Sequence, residues 1–242
     1  MTFLYIIAST VIISLASLVG ICFISIKENT LQKILLGLVT FATGVLLGGA
    51  VLHLVPEAIE LGANAPLWIL AGILLFFILE KFLFWRHCHD GICKEHPVRY
   101  LNLIGDGVHN FIDGTIIAAA FIADVKLGMT TSIIALAHEI PQEIGDFGIL
   151  VYGGFTKTKA LLFNLLSALT CILGGILSYF FATRINNLTP ILIALAAGNF
   201  LYMALVDLMP EFKKTPTAGG AFLQFSLLCA GILMMWFLKI AH

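Results

Sequence analysis

Charge is what this sequence has least of. Asp, Glu, Lys and Arg make up only 11% of its 242 residues, against 60% hydrophobic residues and a mean hydropathy of +1.04. A soluble domain carries roughly 25% charged residues, so the composition excludes both an ordinary globular enzyme and a disordered chain. The net charge of −1 leaves no basic surface for nucleic acid. The five cysteines, Cys22, Cys88, Cys93, Cys171 and Cys229, are an odd number and mostly sit in apolar runs, which argues against a disulfide framework. No Gly-x4-Gly-Lys-Ser/Thr run occurs, and this disfavours ATP-driven pumping by the chain.

Long apolar runs take the place of charge. A span needs about 20 apolar residues, and eight candidates can be read at 3–26, 34–60, 66–85, 100–123, 127–152, 160–183, 189–210 and 219–240. The expected fold is therefore an all-α polytopic membrane protein of eight transmembrane helices. Residues 1–242 form a single transmembrane domain embedded in a lipid bilayer, with no room for a soluble one. The first run is followed by Lys27 and Glu28 rather than a small-residue cleavage site, so it reads as a retained helix and not a signal peptide.

The basic residues set an orientation. Lys27, Lys33, Lys81, Arg86, Lys94, Arg99, Lys157, Lys159, Lys213 and Lys214 lie in or beside the connections after spans 1, 3, 5 and 7. Only Lys126, Arg184 and Lys239 lie on the other side. Ten against three puts the odd-numbered connections in the cytoplasm and both termini outside.

The acids follow a different rule. Of fourteen carboxylates, eight (Glu57, Asp106, Asp113, Glu139, Glu143, Asp146, Asp207 and Glu211) fall in or at the ends of spans, while no Lys or Arg lies near the middle of one. A carboxylate in hydrocarbon costs several kcal/mol unless it is neutralised, paired or wetted. Protons or metal ions are the remaining cations that can balance them.

Span 4 carries Asp106, His109, Asn110 and Asp113 at i, i+3, i+4 and i+7, one stripe of a helix. Span 5 carries two i, i+4 pairs, His138 with Gln142 and Glu139 with Glu143, and Asp146 one turn further on. A tight turn near 123–126 would bring the two stripes face to face. Imidazoles with carboxylate oxygens suit Zn²⁺, Fe²⁺ or Mn²⁺ better than Mg²⁺. Three or more carboxylates exceed what one divalent ion requires, so two adjacent ions are electrostatically reasonable. Pro141 removes a helical hydrogen bond to Ala137 and can leave an extra carbonyl oxygen near the site.

These residues carry a resemblance. His109-Asn110-Phe-Ile-Asp113-Gly114 followed by His138-Glu139-Ile-Pro141-Gln142-Glu143-Ile-Gly145-Asp146 is similar to the fourth- and fifth-helix signatures of the ZIP (Zrt/Irt-like protein) divalent metal transporters. It is closest to the branch reading His-Glu-x-Pro-His-Glu-x-Gly-Asp. The helix-3 ending from Glu80 to His89, the eight spans and the outside termini resemble that branch too. The resemblance implies transport of divalent transition metal into the cytoplasm by movement of one helical bundle against another, zinc first, with iron or manganese as alternatives. It also implies a first metal site of His109, Asp113, His138 and residue 142, and a second of Asn110 and Glu139, with Asp113 bridging and Asn164 a further contributor. The departure is Gln142, where relatives commonly have His or Glu. An amide oxygen is a weaker, neutral ligand.

Spans 2 and 7 repeat one another. At a constant offset of 154, Ala42, Gly44, Ala50, Leu54, Pro56 and Glu57 meet Ala196, Gly198, Ala204, Leu208, Pro210 and Glu211, and His53 aligns with Asp207. The two spans run in opposite directions, as an inverted repeat requires, and spans 4 and 5 echo one another in the same sense. His53 and Glu57 would then line the outer part of a transport pathway and Asp207 and Glu211 the cytoplasmic part, with Asp106, Glu143, Asp146 and Asn164 between.

Three readings stay beside this one. The connection 87–98, with His87, Cys88, His89, Cys93 and His96, is either a soft-metal-binding cytoplasmic loop or simply solvated, since Cys88-x4-Cys93 is not a zinc-finger spacing. His138-Glu139-Ile-Pro-Gln142 is one residue short of a zincin motif, which makes an intramembrane metal-dependent hydrolase the alternative function. A proton-coupled carrier of an organic solute would use the same carboxylates, but the spans contain no cationic or aromatic cage. The small residues from Gly44 to Gly49 permit close packing, including a homodimer. The plasma membrane is the expected location.

Overall fold

The computed structural model describes residues 1–23, 28–62, 64–85, 96–152, 154–212 and 218–240. Among them every regular element is helical, and we number eight rods in chain order. α1 is Thr2–Ala16, continued by a 3-10 turn Ser17–Val19 and Gly20–Phe23. α2 joins Glu28–Gly49, a π-helical stretch Ala50–Leu54 and Val55–Glu60. α3 is Ala65–Trp85, α4 His96–Ala123 and α5 Val125–Tyr152. α6 joins Lys157–Ala168 to Thr170–Ala182. α7 joins Leu188–Tyr202, a π-helical stretch Met203–Leu208 and Met209–Phe212, and α8 is Ala218–Ile240.

Each expected span coincides with one rod, the largest difference being the start of α2 at Glu28. Five segments are long and apolar enough to cross a membrane by length and composition: Thr2–Val19, Lys33–Glu60, Lys157–Ala182, Leu188–Val206 and Gly219–Ile240, while Ala65–Leu79 of α3 is a shorter apolar helix. α4 and α5 are longer than any of the other single helices but dilute their apolar residues with acids, amides and histidines. The chain is a multi-pass helical membrane protein.

Local chemistry explains the joints. Asp124 alone separates α4 from α5, and its Oδ1 accepts the backbone N–H groups of Lys126 at 2.8 Å and Leu127 at 3.0 Å. It thereby caps α5 and forces the tight reversal. Thr156 caps α6 in the same way through Lys159 N–H. Both π-helical stretches lie just before a proline, Pro56 and Pro210. A proline ring clashes with the carbonyl four residues earlier, and a widened turn lets the helix continue past it. α5, by contrast, runs unbroken through Pro141.

Glycine pairs set how closely the rods approach. On α2 and α8, Gly44 faces the Leu228 carbonyl and Gly231 the Phe41 carbonyl; on α3 and α7, Gly72 faces the Leu195 carbonyl and Gly198 that of Ile69. On α4 and α6, Gly114 faces the Cys171 carbonyl and Gly174 that of Phe111. A methyl group at any of these six positions would collide with backbone, so each pair of helices is joined at backbone contact. The stretch from Gly44 to Gly49 is occupied within the chain, since Gly48 meets Met235 and Gly49 meets Ile134. Leu46, Leu54, Ile116, Ile134, Phe200 and Met235 belong to the main apolar core, to which α4 contributes Ile116 and α5 Ile134.

Candidate metal centre

The helical period and the one-residue turn together put the two polar stripes against each other. His109 Nε2 lies 3.3 Å from His138 Nε2, 3.4 Å from Glu139 Oε1 and 3.9 Å from Asp113 Oδ2. His138 Nε2 lies 2.9 Å from Asp113 Oδ2 and 3.9 Å from Glu139 Oε1. One ligand atom from each of these four residues falls within 4.8 Å of all the others. A tetrahedral ion holding ligands at about 2.0–2.2 Å spaces them roughly 3.3–3.6 Å apart, so the observed separations bracket what such an ion requires.

The protons make the case stronger. His138 Nδ1 is 3.0 Å from the Ile134 carbonyl, which can only accept, so the ring carries its proton on Nδ1 and the neutral ring presents a lone pair at Nε2. That lone pair faces a carboxylate oxygen and a second imidazole nitrogen. Asp113 and Glu139 are buried, and among the described residues the ring nitrogens they approach are those of the two histidines. Both oxygens of each acid lack a hydrogen-bond donor. Acceptors converging in a dry place repel one another unless a cation lies among them. Phe76 and Phe200 close the site, with rings 6.1 Å from His109 and 5.8 Å from His138.

One turn away the seam changes character. Asn110 Nδ2 donates to Asp106 Oδ1 at 2.9 Å, and Ser167 Oγ also donates to Asp106. Asn164 Nδ2 donates to Glu143 Oε2 at 2.5 Å and reaches the Glu143 and Ser17 carbonyls at 3.3 and 3.4 Å. These side chains are buried, and Asn110 Oδ1, Asn164 Oδ1 and Glu143 Oε1 have no hydrogen-bond partner. Asp146 is half-buried within electrostatic range of Glu143.

The other expected site residues are more dispersed. Gln142 is half-buried on α5, one turn after His138. His53 Nε2 is 2.9 Å from the Met235 carbonyl, so that nitrogen is used between α2 and α8. Glu57 is half-buried near the end of α2. Asp207 and Glu211 lie on α7, within and just after its π-helical stretch, and their side chains are outside the described residues, as is most of the 87–98 segment. Ser167 and the Ile134 carbonyl are the participants that sequence reading missed. Ser167 is three residues beyond Asn164 and so on its face of α6, a signal available in the sequence; the Ile134 carbonyl left none.

A buried cluster of imidazole and carboxylate groups inside a multi-pass helical bundle marks an integral membrane protein with a candidate cation site. The family model for ZIP zinc transporters matches residues 2–97 and 85–239. The chain belongs to that family. Zinc transporter ZIP13 of Pongo abelii is 35% identical over 219 residues, covering 82% of this chain and 65% of that protein. Zinc transporter zipt-7.2 of Caenorhabditis elegans is 30% identical over 302 residues, with 98% and 65% covered. Zinc transporter ZIP10 of Homo sapiens is 41% identical over 128 residues, covering 51% of this chain and 15% of that protein. The chain thus spans just under two thirds of the length of the first two relatives.

Proposed function

We propose that the chain is a transporter that moves divalent transition-metal ions through the bilayer into the cytoplasm, with zinc as the preferred ion and iron or manganese as further substrates. The observation that carries this is the convergence of His109, Asp113, His138 and Glu139 within 4.8 Å, with the carboxylate oxygens of both acids buried and without a hydrogen-bond partner. Gln142 would complete that first site. Asn110, Glu139 and Asn164 would hold a second ion, with Asp113 between the two. The zinc transport named for the relatives supports the choice of metal.

The single domain over 1–242 would be an inverted repeat. Two observations support this. The π-helical stretches begin at Ala50 and Met203, one residue from the 154-residue offset read in the sequence. The close helix crossings obey the same rule, since Phe41 and Gly44 correspond to Leu195 and Gly198 at 154, and Ile69 and Gly72 to Leu228 and Gly231 at 159. The distribution of Lys and Arg supports termini outside the cytoplasm, and the plasma membrane is the proposed location. The hydrolase reading has less support. Glu139 lies among the ligands rather than beside them as a free base, and the family is one of transporters. A site whose ligand atoms sit within 4.8 Å of one another has no space for an organic solute.

Purified protein in metal-free liposomes tests the proposal. Accumulation of ⁶⁵Zn inside, lost in His109→Ala and His138→Ala, is the expected result. Vesicles that stay empty for zinc, iron and manganese while a lipid or peptide is cleaved would reverse it in favour of the hydrolase.

A further inference from the structure

Between α4 and α6 the bundle leaves an open groove of about 610 Å³, within the roughly 300–1,000 Å³ of ligand pockets. Ile104, Gly107 and Phe111 line it from α4, and Phe163, Leu166 and Thr170 from α6. Gly107 deepens it. A methyl group there would meet Thr170 and Ser167 only at 3.7 and 3.8 Å, so packing against α6 does not require the glycine, and the space beside it stays open. The wall hydroxyls are turned inward, Thr170 donating to the Gly107 carbonyl and Ser167 to Asp106. The interior is therefore apolar. Ile104 and Leu166, on the walls, are 56% and 50% exposed, so the groove faces outward from the bundle.

One end of this groove is charged. Lys159 precedes Phe163 by four residues and Leu166 by seven, so it lies on the same face of α6, one turn nearer the helix start. Its ammonium sits 4.7 Å from the centre of the Phe155 ring and 5.7 Å from that of Phe163, itself a groove wall. The two rings hold the charge at the groove's end without neutralising it. Lys157 adds a second charge; both lysines are exposed, and among the described residues no carboxylate pairs with either. From Lys159 to Thr170 the helix rises about 16 Å, close to half the roughly 30 Å hydrocarbon core of a bilayer. An occupant must then be apolar along its length, anionic at one end and one leaflet long. We propose that the groove binds one anionic glycerophospholipid, an acyl chain lying along Gly107, Phe163 and Leu166 and the phosphate-bearing headgroup at Lys157 and Lys159. That the leaflet is the cytoplasmic one rests on the orientation proposed above; the site itself does not.

Bromine on a lipid chain quenches a nearby tryptophan, and this tests the site in vesicles of phosphatidylcholine containing the full chain with Leu166→Trp. Fluorescence is read as the difference from the unsubstituted chain. Brominated phosphatidylglycerol is expected to quench position 166 at lower mole fraction than brominated phosphatidylcholine, a preference of roughly fivefold for each lysine. Leu223→Trp, at a residue 59% exposed on α8, reports bulk lipid and shows no such preference. Lys157→Gln with Lys159→Gln removes the preference at 166. Gly107→Leu, which fills the groove and keeps both lysines, removes it too, and simple attraction of lipid to a basic surface would not. Glycerol phosphate, the headgroup chemistry without a chain, leaves the quenching unchanged. Equal quenching by the two lipids at 166, a preference that survives either substitution, or relief by glycerol phosphate would overturn the site. Protection of position 166 from both lipids, with cross-linking between copies, would give the groove to a second chain instead. No arm involves a metal, so the result stands apart from the transport reading.

Discussion

At one end of the α4–α5 seam, His109, Asp113, His138 and Glu139 turn acceptor atoms toward a common point. At the other end, Asn110, Ser167 and Asn164 donate hydrogen bonds to Asp106 and Glu143. Both ends are buried and rich in carboxylates, yet they resolve their charge in opposite ways. At the imidazole end His138 turns its Nδ1 proton to the Ile134 carbonyl, and among the described residues the only groups that approach the two acids are the facing imidazole nitrogens. The amide end is largely satisfied from within, and its free atoms are neutral amide oxygens and one carboxylate oxygen. The proposed metal therefore belongs first at the imidazole end, and the amide end would have the lesser part. Ligand softness follows the same division: imidazole nitrogen suits zinc, whereas an all-oxygen shell is less selective among divalent ions.

The difference predicts unequal sensitivity to mutation. Replacing both His109 and His138 by alanine is expected to abolish saturable ⁶⁵Zn uptake, a loss larger than the roughly 10–100-fold that follows removal of an outer-shell partner. Residual uptake with unchanged affinity would mean that the imidazole end is not where the metal is held. Zinc should also stabilise the wild type against unfolding, by about 2.7 kcal/mol when the free ion is at 100 times its Kd, and chelation should remove that increment. The double alanine variant should show no zinc-dependent shift in a thermal melt; an undiminished shift would move the main site to the amide end or to the 87–98 segment.

Asn164→Ala is expected to lower uptake about tenfold, since it frees Glu143 of its donor and removes one amide oxygen without touching an imidazole. A loss as complete as that of the histidine variants would erase the distinction between the two ends. The smallest effect concerns Gln142, which shares a helical face with His138. Gln142→His should tighten apparent zinc affinity in an uptake titration by roughly tenfold, about 1.4 kcal/mol, by giving the first end a further imidazole. Unchanged affinity would show that residue 142 faces elsewhere.

Much of this was legible because the helix has a fixed period. Asp106, His109, Asn110 and Asp113 had to share a stripe wherever α4 formed, and the same reasoning paired His138 with Gln142 and Glu139 with Glu143. A tight turn near 123–126 was legible between two long apolar patterns, while the cap that Asp124 makes there came from the structure. The role of His53 was less legible: its approach to the Met235 carbonyl joins residues 182 positions apart, and no local pattern encodes such a contact. The groove between α4 and α6 was hidden for a related reason. Phe163, Leu166 and Thr170 share a face by helical period, and only the packing of α4 beside them reveals that the face is left open.

The sequence by itself determined the solvent, the helices and the chemical types at the site. Hydropathy, helical period and the scarcity of compensating bases are local or summed properties, and they survive without knowledge of how helices pack. Tertiary structure decided which of the buried acids are left without a donor. It did so because hydrogen-bond satisfaction depends on neighbours from other helices: Ser167 and Asn164 of α6 reach Asp106 and Glu143, while no donor other than the histidines reaches Asp113 or Glu139 among the described residues. That difference of a few ångströms separates acids held by the protein from the acids proposed to hold a metal.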